Sequence, residues 1–107
     1  MAKAEIVSGI CGFTATVKTR MEGTQCLVSV ESECDAIQRL GEALAEVDPF
    51  QEITFRGKGP RSLEMGAKHC YHTACPVPVG IIKAIEIEAG LALPADVEIK
   101  LSKSNDD

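Results

Sequence analysis

Aromatic residues are nearly absent from this chain of 107 residues, which contains no tryptophan. Aromatic side chains make up 4% of the sequence, so aliphatic residues and alanine must fill the core. The hydrophobic share of 45% is nevertheless typical of a globular protein. We therefore expect a single domain over residues 1–107, with a polar, disordered tail at 103–107.

Excess basic charge, long apolar runs and a leader-like N-terminus are also lacking. The formal net charge is −5, whereas nucleic acids and anionic membranes attract proteins with a basic face. No apolar run approaches the roughly 20 residues of a transmembrane helix. The first residues, MAKAEIVSG, lack the apolar region of a secretory signal. We expect no nucleic-acid partner, no membrane partner and a cytoplasmic location.

Hydrophobic periodicity predicts five strands and two helices in the order β-β-β-α-β-α-β. Alternating residues predict strands at 4–8, 13–20, 24–31, 50–56 and 95–101, the last with Val97, Ile99 and Leu101 inward. Helical spacing predicts one helix at 33–46, opened by a capping box of Ser32 and Asp35 and stopped by Asp48-Pro49. A second helix covers VPVGIIKAIEIEAGL and is closed by Gly90. The predicted class is α+β, with a mostly antiparallel sheet and both helices on one face.

Five cysteines are unusual in a chain that we place in a reducing compartment. Structural disulfides are disfavoured there, and an odd number of cysteines cannot pair completely within one chain. The segment HCYHTACPVP, residues 69–78, holds two of the cysteines and both histidines. Metal binding, thiol chemistry and plain core packing remain open.

Tracing the predicted elements up and down the sheet brings four cysteines to one end. Cys11 lies in the first turn, Cys34 opens the first helix, and Cys70 and Cys75 lie in a long loop over 57–76. Cys26 instead falls in the third strand, on its apolar face, and we expect it in the core. Cys34 and Cys75 lie at predicted helix N-termini, where the helix dipole favours a thiolate.

The leading hypothesis is a soft-metal site that binds zinc or an iron–sulfur cluster. The expected ligands are the four cysteines at one end of the sheet: Cys11, Cys34, Cys70 and Cys75. His69 or His72 would replace one thiolate or support the site. The spacing matches no known ligand signature, because the chain has no C-x-x-C pair.

Two alternatives use the same residues differently. A thiol-based redox or nucleophilic protein would react through Cys75 or Cys34, with His72 or His69 as the base. An interaction module would carry only structural cysteines, and its last strand, DVEIKL, would offer an edge for homodimer pairing. Whether the protein is an enzyme stays open.

Three stretches carry a resemblance to a known family: GICGFTATV, VSVESECDAI and HTACPVPVGIIKAIEIEAGLALP. Through them the chain resembles a family of small bacterial and archaeal proteins of anaerobic lineages, a domain of unknown function. The resemblance covers nearly the whole chain and implies no catalytic residue. An anaerobic origin would favour an oxygen-sensitive cluster as the ligand.

Overall fold

A computed structural model of the chain describes residues 1–104. The elements in chain order are β1 (Ala2–Val7), β2 (Thr14–Glu22), β3 (Gln25–Ser32), α1 (Asp35–Ala43), β4 (Glu46–Val47), α2 (Pro49–Glu52), α3 (Arg61–His69) and α4 (Val77–Glu88). The strands form one antiparallel sheet in the order β1-β2-β3-β4. The predicted α+β class is confirmed, although the described residues contain four strands where we expected five.

Alternation along the strands decides which face of the sheet is buried. Ala15, Val17 and Thr19 of β2 are all buried. The register places Val30 beside Val17 and Val28 beside Thr19, so the apolar residues of neighbouring strands share one face. The opposite face carries mostly charged and hydroxyl side chains and is open to solvent.

Both predicted helices pack on the apolar face of the sheet, as expected. α1 lies over β3 and buries Ile37, while α4 lies over β1 and β2 and buries Ile81 and Ile85. Burying one isoleucine side chain stabilises the fold by about 1.5–3 kcal/mol relative to leaving it exposed. α3 packs mainly against α1 and α4.

The longest helix, α4, has 12 residues, and no helix in residues 1–104 has the length and apolar character for a membrane crossing.

The predicted strand at 50–56 is wrong, because Asp48 and Pro49 begin a helix. They do not stop the preceding one, since α1 ends at Ala43 and β4 lies between. The Asp48 carboxylate accepts the N–H of Phe50 at 3.0 Å, and Pro49 occupies the first helical position of α2. The fourth strand is instead the two-residue β4, which pairs with Cys26 and Leu27 of β3.

The capping box expected at Ser32 and Asp35 is also wrong. Cys34 is the residue that precedes the first helical position of α1, and its side chain makes no capping hydrogen bond. The Ser32 hydroxyl donates to the carbonyl of Thr14 at 2.7 Å and accepts the N–H of Cys34 at 3.2 Å. Ser32 therefore joins β2 to the start of α1.

The predicted last strand at 95–101 does not form a strand in the structure. Val97, Ile99 and Leu101, which we expected to point inward, are 61%, 73% and 89% exposed. No backbone hydrogen bond joins residues 92–103 to another described part of the chain. Alternation gives a segment the pattern of a strand but cannot supply a neighbour to pair with. Residues 105–107 of the expected polar tail lie outside the described residues.

Candidate functional site

Four cysteines from three separate segments border one groove beside the loop that joins β1 to β2. The groove has a volume of about 320 Å³, and its lining includes Cys11, Cys34, Cys70 and Cys75. His72 also borders it, whereas His69 does not. Most of the other lining residues are apolar, and the lining contains no lysine or arginine.

Cys11 stands at the rim of the groove because of a tight turn. Gly9 and Gly12 have φ values of 88° and 76°, a backbone region that strains residues with a side chain. The N–H of Gly12 donates to the carbonyl of Gly9 at 2.9 Å and closes the turn. Cys11 and its neighbour Ile10 are consequently exposed.

Cys70 and Cys75 are brought together by the end of α3 and a short turn. The N–H of Cys70 donates to the carbonyl of Gly66 at 2.9 Å and ends α3. The N–H of Cys75 donates to the carbonyl of His72 at 3.2 Å and folds the chain back before α4. The two half-buried thiols lie close enough for Cys75 to affect the pKa of Cys70. The long loop expected over 57–76 is therefore wrong in part, because α3 occupies residues 61–69 of it.

The environment of the Cys70 thiol keeps it protonated at neutral pH. Burial, followed by the proximity and hydrogen bonding of Cys75, raises the pKa of Cys70 to about 11. The nearby Cys34 adds a further, smaller upward contribution. Cys34 and Cys75 therefore both lie close enough to Cys70 for a charge on either of them to affect its thiol.

The four cysteines border the groove without enclosing a common point. Within residues 1–104, no group of three or more His, Cys, Asp or Glu side chains is arranged to hold a metal ion. Cys34 and the Cys70–Cys75 pair lie on the groove wall, and Cys11 lies on the exposed rim.

Cys26 is separate from the groove, as we expected. It is fully buried in the core between β2 and β4. Burial and the charge of Glu88 raise the pKa of its thiol. Cys26 therefore packs as a small apolar residue.

Tyr71 and Arg39 support the groove, and the sequence analysis identified neither. Arg39 Nη2 donates to the Tyr71 hydroxyl at 3.2 Å, and the guanidinium carbon lies 5.6 Å from the centre of the ring. Arg39 belongs to α1, so this contact ties the Cys70–Cys75 turn to the helix that follows Cys34. The position of Tyr71 between Cys70 and Cys75 could have marked it as a groove residue. Its partner Arg39 is 32 residues away in the sequence, so residue spacing could not reveal the contact.

Glu52 fixes the start of α3 and was also missed. Its carboxylate is 1% exposed and accepts the N–H groups of Arg61 at 2.9 Å and Ser62 at 2.8 Å. It also accepts the Ser62 hydroxyl at 2.6 Å. The first N–H groups of a helix lack partners within the helix and favour negative charge, so a carboxylate suits this place. The position of α3 determines where Cys70 reaches the groove.

Comparison with known proteins places the chain in a family. A model described as a family of unknown function, DUF6951, matches residues 2–101. The chain belongs to the DUF6951 family. The match includes all of the groove cysteines and confirms the resemblance to a domain of unknown function. No curated protein and no solved structure matches the chain.

Proposed function

We propose that the groove binds a thiophilic metal ion or an iron–sulfur cluster through cysteine thiolates. One observation carries the proposal: cysteines from three distant segments border the same groove, namely Cys11, Cys34, Cys70 and Cys75. Thiolates select zinc, copper(I) and iron–sulfur clusters over harder cations. A role in handling the metal or cluster, or in electron transfer, would follow.

The charges around the groove support a cationic ligand. The lining contains no lysine or arginine, and the guanidinium of Arg39 beside it is engaged with the Tyr71 ring and hydroxyl. The pKa of about 11 at Cys70 reflects burial and the proximity of Cys75 and Cys34. A bound cation would displace the thiol proton and provide the missing charge.

The remaining parts of the site have defined roles in this proposal. Cys34, Cys70 and Cys75 would supply thiolates from the groove wall and Cys11 from the exposed rim, and these side chains would have to rearrange to reach one ligand. His72 substitutes for one thiolate or donates a hydrogen bond to a ligand. We also propose a cytoplasmic location, since a reducing compartment keeps the five free cysteines as thiols.

A cobalt titration under anaerobic conditions tests the proposal. Cobalt(II) bound by thiolates shows sulfur-to-metal charge-transfer absorption, which reports the ligand type directly. Changing Cys34, Cys70 or Cys75 to serine should weaken binding by more than the roughly 10–100-fold that loss of a supporting hydrogen bond costs. The matched control is Cys26→Ser, which should bind as the wild type does. Absence of charge-transfer absorption in the wild-type protein would contradict the proposal.

A thiol redox function is the second candidate, because Cys70 and Cys75 border the same groove and are close enough for one thiol to affect the other. The Cys75 thiolate would attack an external disulfide such as oxidised glutathione, releasing one reduced glutathione. Cys70 would then displace the second glutathione as a thiol, leaving an intramolecular disulfide. Alkylation rates separate the two functions: this candidate predicts one thiol that reacts near neutral pH much faster than the other accessible thiols, such as the exposed Cys11. Uniformly slow alkylation would rule it out.

A further inference from the structure

Two parts of the chain present unpaired strand-like edges. β1 pairs only with β2 among the described strands, so its other side exposes backbone groups that can accept a further strand. Near the C-terminus, Val97, Ile99 and Leu101 are largely exposed on alternate positions. Exposed apolar residues in a continuous stretch mark a surface that meets another molecule.

We propose that residues 97–102 of a second copy of this chain add to β1 as a parallel fifth strand, with reciprocal exchange between two copies. Within a single chain, residues 97–102 make no backbone hydrogen bonds to the sheet, and their apolar side chains stay largely exposed. Leu101 borders the groove of its own chain but remains 89% exposed. A reciprocal exchange uses both edges in a closed two-fold dimer and leaves neither strand free.

The parallel register matches the two faces of the sheet. It extends the apolar layer with three pairs: Val97 beside Ala2, Ile99 beside Ala4, and Leu101 beside Ile6. Ala2, Ala4 and Ile6 line the buried face because their partners in β2 are Thr19, Val17 and Ala15. A strand placed there would cover the open side of the core next to α4.

Charge distinguishes the parallel from the antiparallel arrangement. On the solvent face, the parallel register sets opposite charges side by side: Glu98 beside Lys3 and Lys100 beside Glu5. The antiparallel register with matching faces and full overlap sets Lys100 beside Lys3 and Glu98 beside Glu5. Like charges opposite each other destabilise a strand pair, so the parallel arrangement is favoured.

Charge reversal tests the exchange in the full-length protein. One variant combines Lys3→Glu with Glu5→Lys, and the other combines Glu98→Lys with Lys100→Glu. Each keeps the net charge and the oppositely charged pair within its own segment, at 2.9 Å in β1 and 3.3 Å near the C-terminus. Sedimentation equilibrium over a concentration series measures the dimer dissociation constant.

The expected results are specific to exchange between chains. The wild type should dimerise, and each variant alone should have a dissociation constant raised about tenfold or more, since four charge pairs become repulsive. An equimolar mixture of the two variants should form heterodimers with nearly wild-type affinity, as should a homodimer carrying all four changes. Ile99→Asp, which places a charge in the apolar layer, should give a monomer.

Other outcomes would overturn the inference. A wild type that stays monomeric at every concentration excludes a second copy. If the two-residue variants unfold more easily, the fourfold variant unfolds like the wild type and the mixture forms no heterodimers, the segment docks on β1 of its own chain. Tighter dimers in the twofold variants would mean antiparallel pairing. Metal content does not enter these outcomes, so failure here leaves the proposed metal site untouched.

Discussion

At the scale of single residues, Glu52 connects the fold to the groove. We expect Glu52→Ala to lower the free energy of unfolding by about 3 kcal/mol, because it leaves buried donors of Arg61 and Ser62 without a charged acceptor. Glu52→Gln retains one acceptor oxygen and should cost less. Urea unfolding measures both, with the exposed Glu33→Ala as control. Wild-type stability in Glu52→Ala would contradict this role.

Gly41 is a second residue whose size matters, because α1 packs closely against β3 at this position. A Cβ there would lie 2.8 Å from Cβ of Val30, so α1 could not keep its distance from β3. We expect Gly41→Ala to destabilise the protein by about 1–2 kcal/mol, since overpacking outweighs the better helix propensity of alanine. Thermal unfolding measures this effect, and the exposed neighbour Glu42→Ala is the control. A stabilised Gly41→Ala protein would refute the close approach.

At the scale of elements, Glu88 fastens the end of α4 to the sheet. Its carboxylate accepts the N–H of Met21 at 3.1 Å and lies 3.4 Å from the N-terminal ammonium of Met1. The Met21 hydrogen bond, with smaller help from the ammonium, holds the pKa of Glu88 below its ordinary value of 4.5. The ionised carboxylate therefore stabilises the folded state above about pH 4.5, and this contribution is lost as the pH falls.

Replacing Glu88 should reveal that pH dependence. We expect Glu88→Gln to reduce the free energy of unfolding by about 1 kcal/mol at pH 7, with the difference from wild type shrinking as the pH falls below about 4.5. Urea unfolding across this range measures it. Glu86→Gln removes a charge from the same helix and keeps the Glu88 contacts. A difference that does not change with pH would contradict the assignment.

The elements that periodicity predicted correctly are those that bury one continuous face. β2, β3, α1 and α4 each present apolar residues at the spacing of their structure, so the sequence was sufficient. The strand expected at 50–56 is absent because Asp48-Pro49, which we expected to stop a helix, instead begins α2. α3 lies within the segment that we expected to be a loop over 57–76, because the acceptor for its first N–H groups is Glu52, nine and ten residues earlier.

The prediction that four cysteines lie at one end of the sheet rested on reasoning that was partly wrong. Tracing the chain relied on a fourth strand to return it to the end of the sheet that carries Cys11 and Cys34. In the structure, α3 makes that return and delivers Cys70 to the groove instead. The Tyr71–Arg39 contact and the exclusion of His69 depend on how α3 is rotated, which residue spacing alone does not determine.

At the scale of the whole molecule, the metal proposal predicts a coupling to pH. The pKa of Cys70 lies near 11, so a metal ion must displace its proton at neutral pH. We expect affinity to increase as the pH rises from 6 to 8, with about one proton released for each protonated thiol that coordinates. Calorimetry in buffers of different ionisation enthalpy counts these protons. Binding without proton release would exclude Cys70 as a ligand.

The most direct test of the account is the metal and acid-labile sulfide content of the freshly purified protein. The protein must be prepared without oxygen and without a metal-affinity column, so that neither loss nor uptake of metal occurs. We predict a stoichiometric ligand, either zinc without sulfide or iron with sulfide, retained in Cys26→Ser and lost in Cys34→Ser. A fresh wild-type protein with neither metal nor sulfide would contradict the metal-binding groove.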